Sequence, residues 1–421
     1  MHTTGTENTA RDALAAALGA EHVRDATADD AISGVQPRWV ATVDGTESAS
    51  AAMKVAAEHG LVVVPKGSGS KLDWGAPPRS VDLLLDVSAA TGIVEHAAGD
   101  LVVHALAGTP LAEVNAAVRA AGQQLAIDQP LPTATVGGVI ATGTAGPARH
   151  LFGGVRDLLI GITVVRADGT VTTAGGKVVK NVAGYDLGKL YTGSHGTLGV
   201  ITEAVFRLHP LAAEHRWITL TTDDPATAAE AADTVRHSQA MPTAIELDQP
   251  DPGGPITVCA QLEGRPTATH DRAVALAAAI GHGAEVLDRA PRWWGEYPFD
   301  PAAGIGLRMG VEPAALARLL TATREAASAH GLPLAVRGAA GLGVLHAGLP
   351  GDADPSAVAG LLAALRARTE YTVLERAPRI VLTATDPWGP VDPGLLALMR
   401  RTKDQFDPEH RLAPGRYVGG I

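Results

Sequence analysis

A chain of 421 residues is too long for one hydrophobic core and is expected to divide into two or three domains. Its net charge of −11 argues against a nucleic-acid binder, and its one cysteine, Cys259, excludes an internal disulfide or a cysteine-ligated zinc or iron–sulfur centre within the chain. Hydrophobic residues make up 46%, enough for a large core, but no run of about 18 uncharged apolar residues occurs, so no membrane-spanning helix is expected; the polar stretch 1–11 lacks an apolar signal core, which predicts a cytoplasmic location.

Residues 9–20 read as a helix ending at Gly19, 39–43 as a short strand, and 47–59 as a helix with Ala51, Val55 and Ala56 on one face and Gly60 just past its end. L-V-V-V-P (61–65) is a buried strand that runs straight into K-G-S-G-S-K (66–71). A turn of Gly and Ser can aim successive N–H groups at one point and form an anion nest, which Lys66 and Lys71 would flank. It is not a dinucleotide fingerprint, because Leu72 stands where the third glycine belongs. Nor is there a P-loop: its nearest approach, 184–189, has three intervening residues instead of four and is followed by Leu190. Strands follow at 81–87, 93–97 and 101–107; Thr109 is expected to cap a helix with Pro110 at its first position that runs to about Ala121 and stops at Gly122. The β-α-β-β pattern makes 38–100 one α+β unit, and 101–209 a second, with a hairpin at 155–171 turning on Asp168-Gly169.

The richest stretch runs from 129 to 203. It reads Q-P-L-P-T-A-T-V-G-G-V-I-A-T-G-T-A-G (129–146), then G-G-K-V-V-K-N-V-A-G-Y-D-L-G-K-L-Y-T-G-S (175–194) and H-G-T-L-G-V-I-T-E (195–203). Each glycine inside a helix or strand costs about 0.5–1 kcal/mol against alanine. A tight turn explains any one of them; the whole set, spaced by short apolar runs, points to a ligand lying against the main chain. After residue 210 the pattern becomes alternating strands and amphipathic helices. Helices are expected at 225–237, 269–280, 313–330 and 354–369, and strands at 216–221, 243–247, 255–262, 333–336, 342–346 and 379–383. That describes a separate domain, 210–385, with an antiparallel sheet covered by helices on one face. Residues 386–394 read as a linker, and 395–416 as a basic helix with a turn-rich end.

The nest at 65–71, T-V-G-G (135–138), K-N-V-A-G-Y-D-L (180–187), G-T-L-G-V-I-T-E (196–203) and F-D-P…L-A-P-G-R (406–416) follow in this order. In them the chain resembles the FAD-binding oxidoreductases of the vanillyl-alcohol oxidase (PCMH) type, and among these it is most similar to the FAD-binding E subunits of glycolate oxidases. The resemblance implies an α+β fold: a two-subdomain FAD-binding domain at 1–209 (subdomains about 38–100 and 101–209), an α+β cap at 210–385, and a segment at 386–421 returning to the FAD domain. It places Pro65, Lys66, Gly67, Ser68, Gly69, Ser70 and Lys71 at the FAD pyrophosphate. Gln129, Pro130, Thr133, Thr135, Gly137, Gly138 and Thr142 would line the other side and the flavin ring, and Gly199, Val200 and Ile201 the adenosine part. Backbone amides need no added positive charge, so an acidic protein can still hold a pyrophosphate.

Some relatives attach the flavin to a histidine in the first glycine turn; Ser70 stands there, so noncovalent FAD is expected. Relatives that oxidise D-2-hydroxy acids carry G-D-G-N-x-H and a later E-H-G around a divalent metal. This chain has G-L-G-V-L-H (341–346), and one histidine is too few ligands, so no metal is expected. A hydroxy-acid carboxylate calls for an arginine fork; Arg308 is the first candidate and Arg337 the next, with His346 as base. The aromatic cluster R-W-W-G-E-Y-P-F (292–299) either faces the flavin or staples cap elements or subunits together. His195 replaces a glutamate common before G-T-L-G, with no role assigned, and Lys180 and Tyr185 would fix their loop. The implied partners are glycolate or a similar 2-hydroxy acid, a sister flavoprotein subunit and an iron–sulfur subunit, with peripheral attachment at the inner face of the membrane through the complex. A free-standing D-2-hydroxy-acid or sugar-acid dehydrogenase, and a flavin-binding scaffold without catalysis, are the alternatives.

Overall fold

The computed structural model describes residues 4–128, 130–177 and 186–421. Its first sheet contains β1 (Val23–Asp25), β2 (Trp39–Thr42), β3 (Val63–Lys66) and β4 (Leu83–Asp86), in the order β1-β2-β4-β3. The pairs β2–β4 and β4–β3 are parallel. The sheet is buried on both faces, with Val63, Leu83 and Leu85 in one cluster and Val64 and Leu84 in another, which is why these strands read as continuous apolar runs. The crossover helix Thr46–Glu58 buries Ala49, Ala52, Met53, Val55 and Ala56. Ala51, expected on that face, is only half-buried because it lies off the 49/52/53/56 stripe.

Strand β5 (Ile93–Ala97), which the sequence groups with the first unit, pairs instead with β6 (Val102–Leu106). After the two-residue β7 (Gln123–Gln124) come β8 (Leu159–Val165), β9 (Val171–Gly175) and β10 (Val200–Arg207), completing a second, antiparallel sheet ordered β5-β6-β10-β8-β9; β11 (His209–Pro210) pairs with β7. The β8–β9 hairpin turns as expected, with Gly169 at φ +81° and the Arg166 amide donating to Thr170 O at 2.9 Å. Thr109 does not cap the helix Leu111–Ala120; Pro110 holds that position. The Thr109 hydroxyl instead clasps Gly92, accepting from its amide and donating to its carbonyl.

The third sheet has eight strands: β12 (Glu214–Thr222), β13 (Ala244–Gln249), β14 (Ile256–Gly264), β15 (Glu285–Leu287), β16 (Ile305–Gly310), β17 (Ala335–Ala339), β18 (Val344–Leu349) and β19 (Tyr371–Arg376). Their order is β15-β12-β14-β13-β17-β18-β16-β19, all antiparallel. Helices Pro225–His237, Pro266–Ile280, Leu316–His330 and Pro355–Arg366 bury their apolar stripes against it in one core. Residues 379–383 are a correction: they lie in the helix Arg379–Ala384, which follows Pro378 and buries Val381 and Leu382 on the cap core. The edge position belongs to β19. Among the described residues no helix is long and apolar enough to cross a membrane.

The C-terminal helix Pro393–Phe406 leads the chain back to the first sheet. There the Val63 amide donates to Arg411 O and the Ala413 amide to Val63 O, both at 2.8 Å.

Candidate functional site

Strand β3 delivers the turn 66–72 to the mouth of a cleft. Gly69 takes φ +80°, which bends the turn back on itself. The amides of Gly67, Ser68, Gly69, Ser70 and Lys71 donate to no protein acceptor among the described residues. Five free amides on one small turn form the expected nest. The flanking lysines already have partners. Lys66 Nζ is paired with Asp86 Oδ2 at 3.1 Å on the neighbouring strand. Lys71 turns away, donating to Thr144 Oγ1 and to Tyr297 Oη at 3.0 Å, with its ammonium 4.5 Å from the Trp74 ring centre.

The opposite wall is the helix Val136–Thr142, whose N-cap Thr135 accepts from the Gly138 amide at 3.3 Å. The walls nearly touch: a Cβ added to Gly67 would stand 2.5 Å from Thr135 Oγ1. His195, Gly196, Gly199, Val200 and Ile201 form a third wall, and Arg416 of the C-terminal segment a fourth. The buried Arg416 guanidinium donates to Trp74 O at 2.9 Å. Burial lowers its pKa to about 10, with Asp73 pulling it back up. The cleft runs between these walls and is open to solvent.

Pro65 through Lys71, Thr135, Gly137, Gly138, Thr142, Gly199, Val200 and Ile201 all line this cleft. Pro130 lines a separate inner cavity, and Thr133 is exposed. Gln129, Lys180 and Tyr185 lie outside the described residues. Sequence reasoning missed Thr144, Gly196 and Arg416; for Arg416 the signal was present in L-A-P-G-R but no role was read from it.

A second cleft adjoins the first, sharing Lys71, Thr142, Thr144 and His195. It lies where the cap sheet meets the glycine-rich part; the Gly75 amide donates to Glu375 O across this seam at 2.7 Å. The sheet face away from the cap helices is polar. Asp248, Arg337, His346 and Arg308 stand in one register row across β13, β17, β18 and β16. Arg308 and His346 thus come together, and the link between them is Glu375, a residue the sequence did not single out. His346 Nδ1 is 3.0 Å from Glu375 Oε2. Arg308 Nε pairs with Glu375 Oε1 at 3.4 Å, too poorly aligned for a hydrogen bond. Burial alone would raise the Glu375 pKa, but the charges of His346 and Arg308 and the His346 hydrogen bond outweigh it and hold it at about 2. Burial takes Lys71 down to about 8, Glu375 opposing and Arg308 adding to the fall. Burial, with Arg416, Arg308 and Lys71 nearby, takes His195 down to about 3, so its imidazole is neutral.

The aromatic cluster divides between the second cleft and the cap. Tyr297 lines the second cleft and packs with Trp74 and Phe299 at 5.3 and 4.9 Å between ring centres. Trp294 packs on Trp217 and Trp293 lies under Arg337, so both staple the cap.

A depressed carboxyl stabilises the fold above its unfolded pKa. Glu375 therefore contributes above about pH 4.5 and loses that contribution as pH falls toward 2, at most about 3 kcal/mol. Glu375→Gln is expected to flatten the acid limb of urea-unfolding free energy; an unchanged limb would refute this coupling.

Two sheets meeting at a glycine-lined cleft, with a cap sheet closing a second cleft, define a flavin-binding fold. Residues 37–175 match the family model described as an FAD binding domain, and 390–417 match the C-terminal domain of FAD linked oxidases. The chain is 43% identical over 150 residues to the glycolate oxidase subunit GlcE of Escherichia coli (strain K12), covering 35% of this chain and 42% of that one. It is 32% identical over 216 residues to the glycolate oxidase subunit GlcD of Bacillus subtilis (strain 168), covering 51% of this chain and 46% of that one. These matches span less than half of each relative's length. In structure it is similar to 4-ethylphenol oxidase from Gulosibacter chungangensis, with a TM-score of 0.74 at 16% identity over 98% of this chain and 97% of that one. Substrate-bound p-cresol methylhydroxylase gives 0.73 at 15% identity, over 98% and 97%. The fold is that of these flavin-dependent oxidoreductases, and the match of residues 37–175 to an FAD binding domain makes FAD the cofactor.

The site's own features fit this group. A pyrophosphate needs donors, because an unpaired buried charge is costly, and the 67–71 turn offers five unused amides.

Proposed function

We propose that this chain is the FAD-binding subunit of a glycolate oxidase complex. It takes part in the oxidation of glycolate or a related D-2-hydroxy acid, beside a sister flavoprotein subunit, with electrons passing to an iron–sulfur partner. The turn 65–71 would hold the pyrophosphate, Thr135, Gly137, Gly138 and Thr142 the flavin side, and Gly199, Val200 and Ile201 the adenosine side, without a covalent link. The observation that carries the reading is the second cleft: it opens onto the flavin cleft and gathers Lys71, Arg149, Arg308, His346 and Glu375. Cations there suit a carboxylate. With Nδ1–H held by Glu375, His346 keeps its lone pair on Nε2, where it can take the substrate hydroxyl proton. Tyr297 and Trp74 shield this spot from water. Bound FAD supplies the two-electron acceptor. With one cysteine the chain has no iron–sulfur cluster of its own, so in this reading the iron–sulfur acceptor is supplied by the partner. GlcE and GlcD, named as glycolate oxidase subunits, support the assignment by likeness.

One observation favours a second reading, a free-standing dehydrogenase: the base, its orienting carboxylate and the cations all come from this single chain. The test is dye reduction by the isolated holoprotein with glycolate and D-lactate, alone and with candidate partners. Turnover by the lone chain rejects the obligate-subunit reading, and no bleaching of the flavin under either condition rejects both. His346→Gln is expected to slow substrate-dependent bleaching by about a hundredfold at unchanged FAD content; an unchanged rate removes His346 as the base.

A further inference from the structure

We infer that Arg149, and not Arg308, is the side chain that grips the substrate carboxylate; this rests on the hydroxy-acid reading of the second cleft. Four cations surround that cleft and the inner cavity behind it, and they differ in what already neutralises them. Arg337 pairs with Asp248 at 2.7 Å and donates to the carbonyls of Tyr297 and Glu296. Arg308 shares Glu375 with His346 and lies 6.0 Å from the Tyr371 ring centre. Lys71 spends protons on Thr144 and Tyr297 and rests on Trp74. Arg149 is half-buried, and its guanidinium has no ion pair or hydrogen bond among the described residues.

Its position suits the task. Arg149 lines both the substrate cleft and the inner cavity, which also share Ala145, Tyr297 and His346. The backbone beneath it is pinned, because the Ala148 amide donates to Asp128 Oδ2 at 2.7 Å. Gly146 lies so close that an added Cβ would be 2.5 Å from Asp128 Cβ. The acid facing Arg149 in the inner cavity is Glu246, buried, with no hydrogen-bond partner at Oε1. Burial and the nearby Asp128 push Glu246 up to about 8, against the pull of Arg149 and Arg337. At neutral pH it stays largely uncharged and leaves the guanidinium unneutralised. A half-buried cation without a counter-charge is costly, and an entering carboxylate removes that cost while matching the planar fork. Arg308, tied to Glu375, positions the His346–Glu375 pair instead.

The experiment titrates FAD-loaded protein with oxalate, an unreactive carboxylate, following the flavin absorbance. Arg149→Gln is expected to weaken oxalate binding by about thirtyfold or more, Arg308→Gln by less than about fivefold, and Arg149→Lys by an intermediate factor. In turnover, Arg149→Gln should raise KM for glycolate far more than it lowers kcat, and erase the preference for glycolate over glycolamide. Oxalate affinity within about threefold of the parent in Arg149→Gln, a larger loss in Arg308→Gln, or a parent that binds no oxalate overturns the assignment. If oxalate binding follows Arg149 while no 2-hydroxy acid bleaches the flavin, the anion site stands and the hydroxy-acid reading fails.

Discussion

A Gly67→Val chain is expected to leave purification without flavin colour, its affinity for FAD reduced about a thousandfold, or ~4 kcal/mol. A Cβ at this position would stand 2.5 Å from Thr135 Oγ1, well inside contact distance. Overpacking of this kind costs about 1–3 kcal/mol by itself. Here the strain falls on a surface turn, which yields before the opposite helix does. As it yields, the five amides from Gly67 to Lys71 lose their common aim, and the pyrophosphate loses several charge-assisted hydrogen bonds at once. The global fold should survive, since the buried residues of β3 and β4 are untouched. Gly67→Ala combined with Thr135→Gly removes the clash and should recover much of the affinity. The readouts are bound flavin per chain and fluorescence titration of the apoprotein. A Gly67→Val protein that keeps its FAD with parental affinity would show that the pyrophosphate lies elsewhere.

Lys403→Met is expected to cost about 3–5 kcal/mol of stability. From sequence, helix Pro393–Phe406 looks like a solvated basic helix, and most of it is exposed. Lys403 is 1% exposed. Its ammonium donates to Thr197 O at 2.7 Å, Asp407 Oδ2 at 2.6 Å and Leu412 O at 2.9 Å, so all three protons are used. Asp407, fully buried, also accepts from the amides of Arg411 and Leu412 at 3.0 and 2.7 Å. Removing the lysine leaves a buried carboxylate without its cation, which costs more than the pair itself contributes. Thr197 belongs to the G-T-L-G loop of the flavin cleft and Arg416 to the tail beyond, so the damage should also weaken FAD binding. Lys403→Met/Asp407→Leu should be more stable than Lys403→Met alone. Urea midpoints and amide exchange of residues 407–416 measure both effects; a loss under about 1 kcal/mol would reduce the pair to a surface-like contact.

The parts that could be read in advance carry local signals. Asp224 followed by Pro225 marks a helix start, and the helix runs over Pro225–His237 as expected. The 61–71 strand-to-turn junction was legible because an apolar run stops at glycine and serine. Residues 379–383 were misread because I-V-L is as apolar as a strand; the preceding proline and the burial of Val381 and Leu382 on the cap core made it helical. Strand β5 was grouped with the wrong sheet because a strand's pattern does not name its partner. Glu375 was overlooked because Y-T-V-L-E-R (371–376) was not read as a strand at all, the edge strand being expected at 379–383, and the carboxyl acquires its role only from His346 and Arg308.

The amino-acid order alone pointed to glycine-rich main-chain turns as the ligand-facing part and determined that helices would cover a sheet beyond residue 210. These depend on neighbours within a few residues, where backbone stereochemistry and hydrophobic period act. Only the tertiary structure decided which cations are neutralised, which lysine is buried, and that Asp248, Arg337, His346 and Arg308 share one row. Those outcomes depend on pairing between strands about a hundred residues apart and on burial, and electrostatic energy follows distance in space and the water left around each charge.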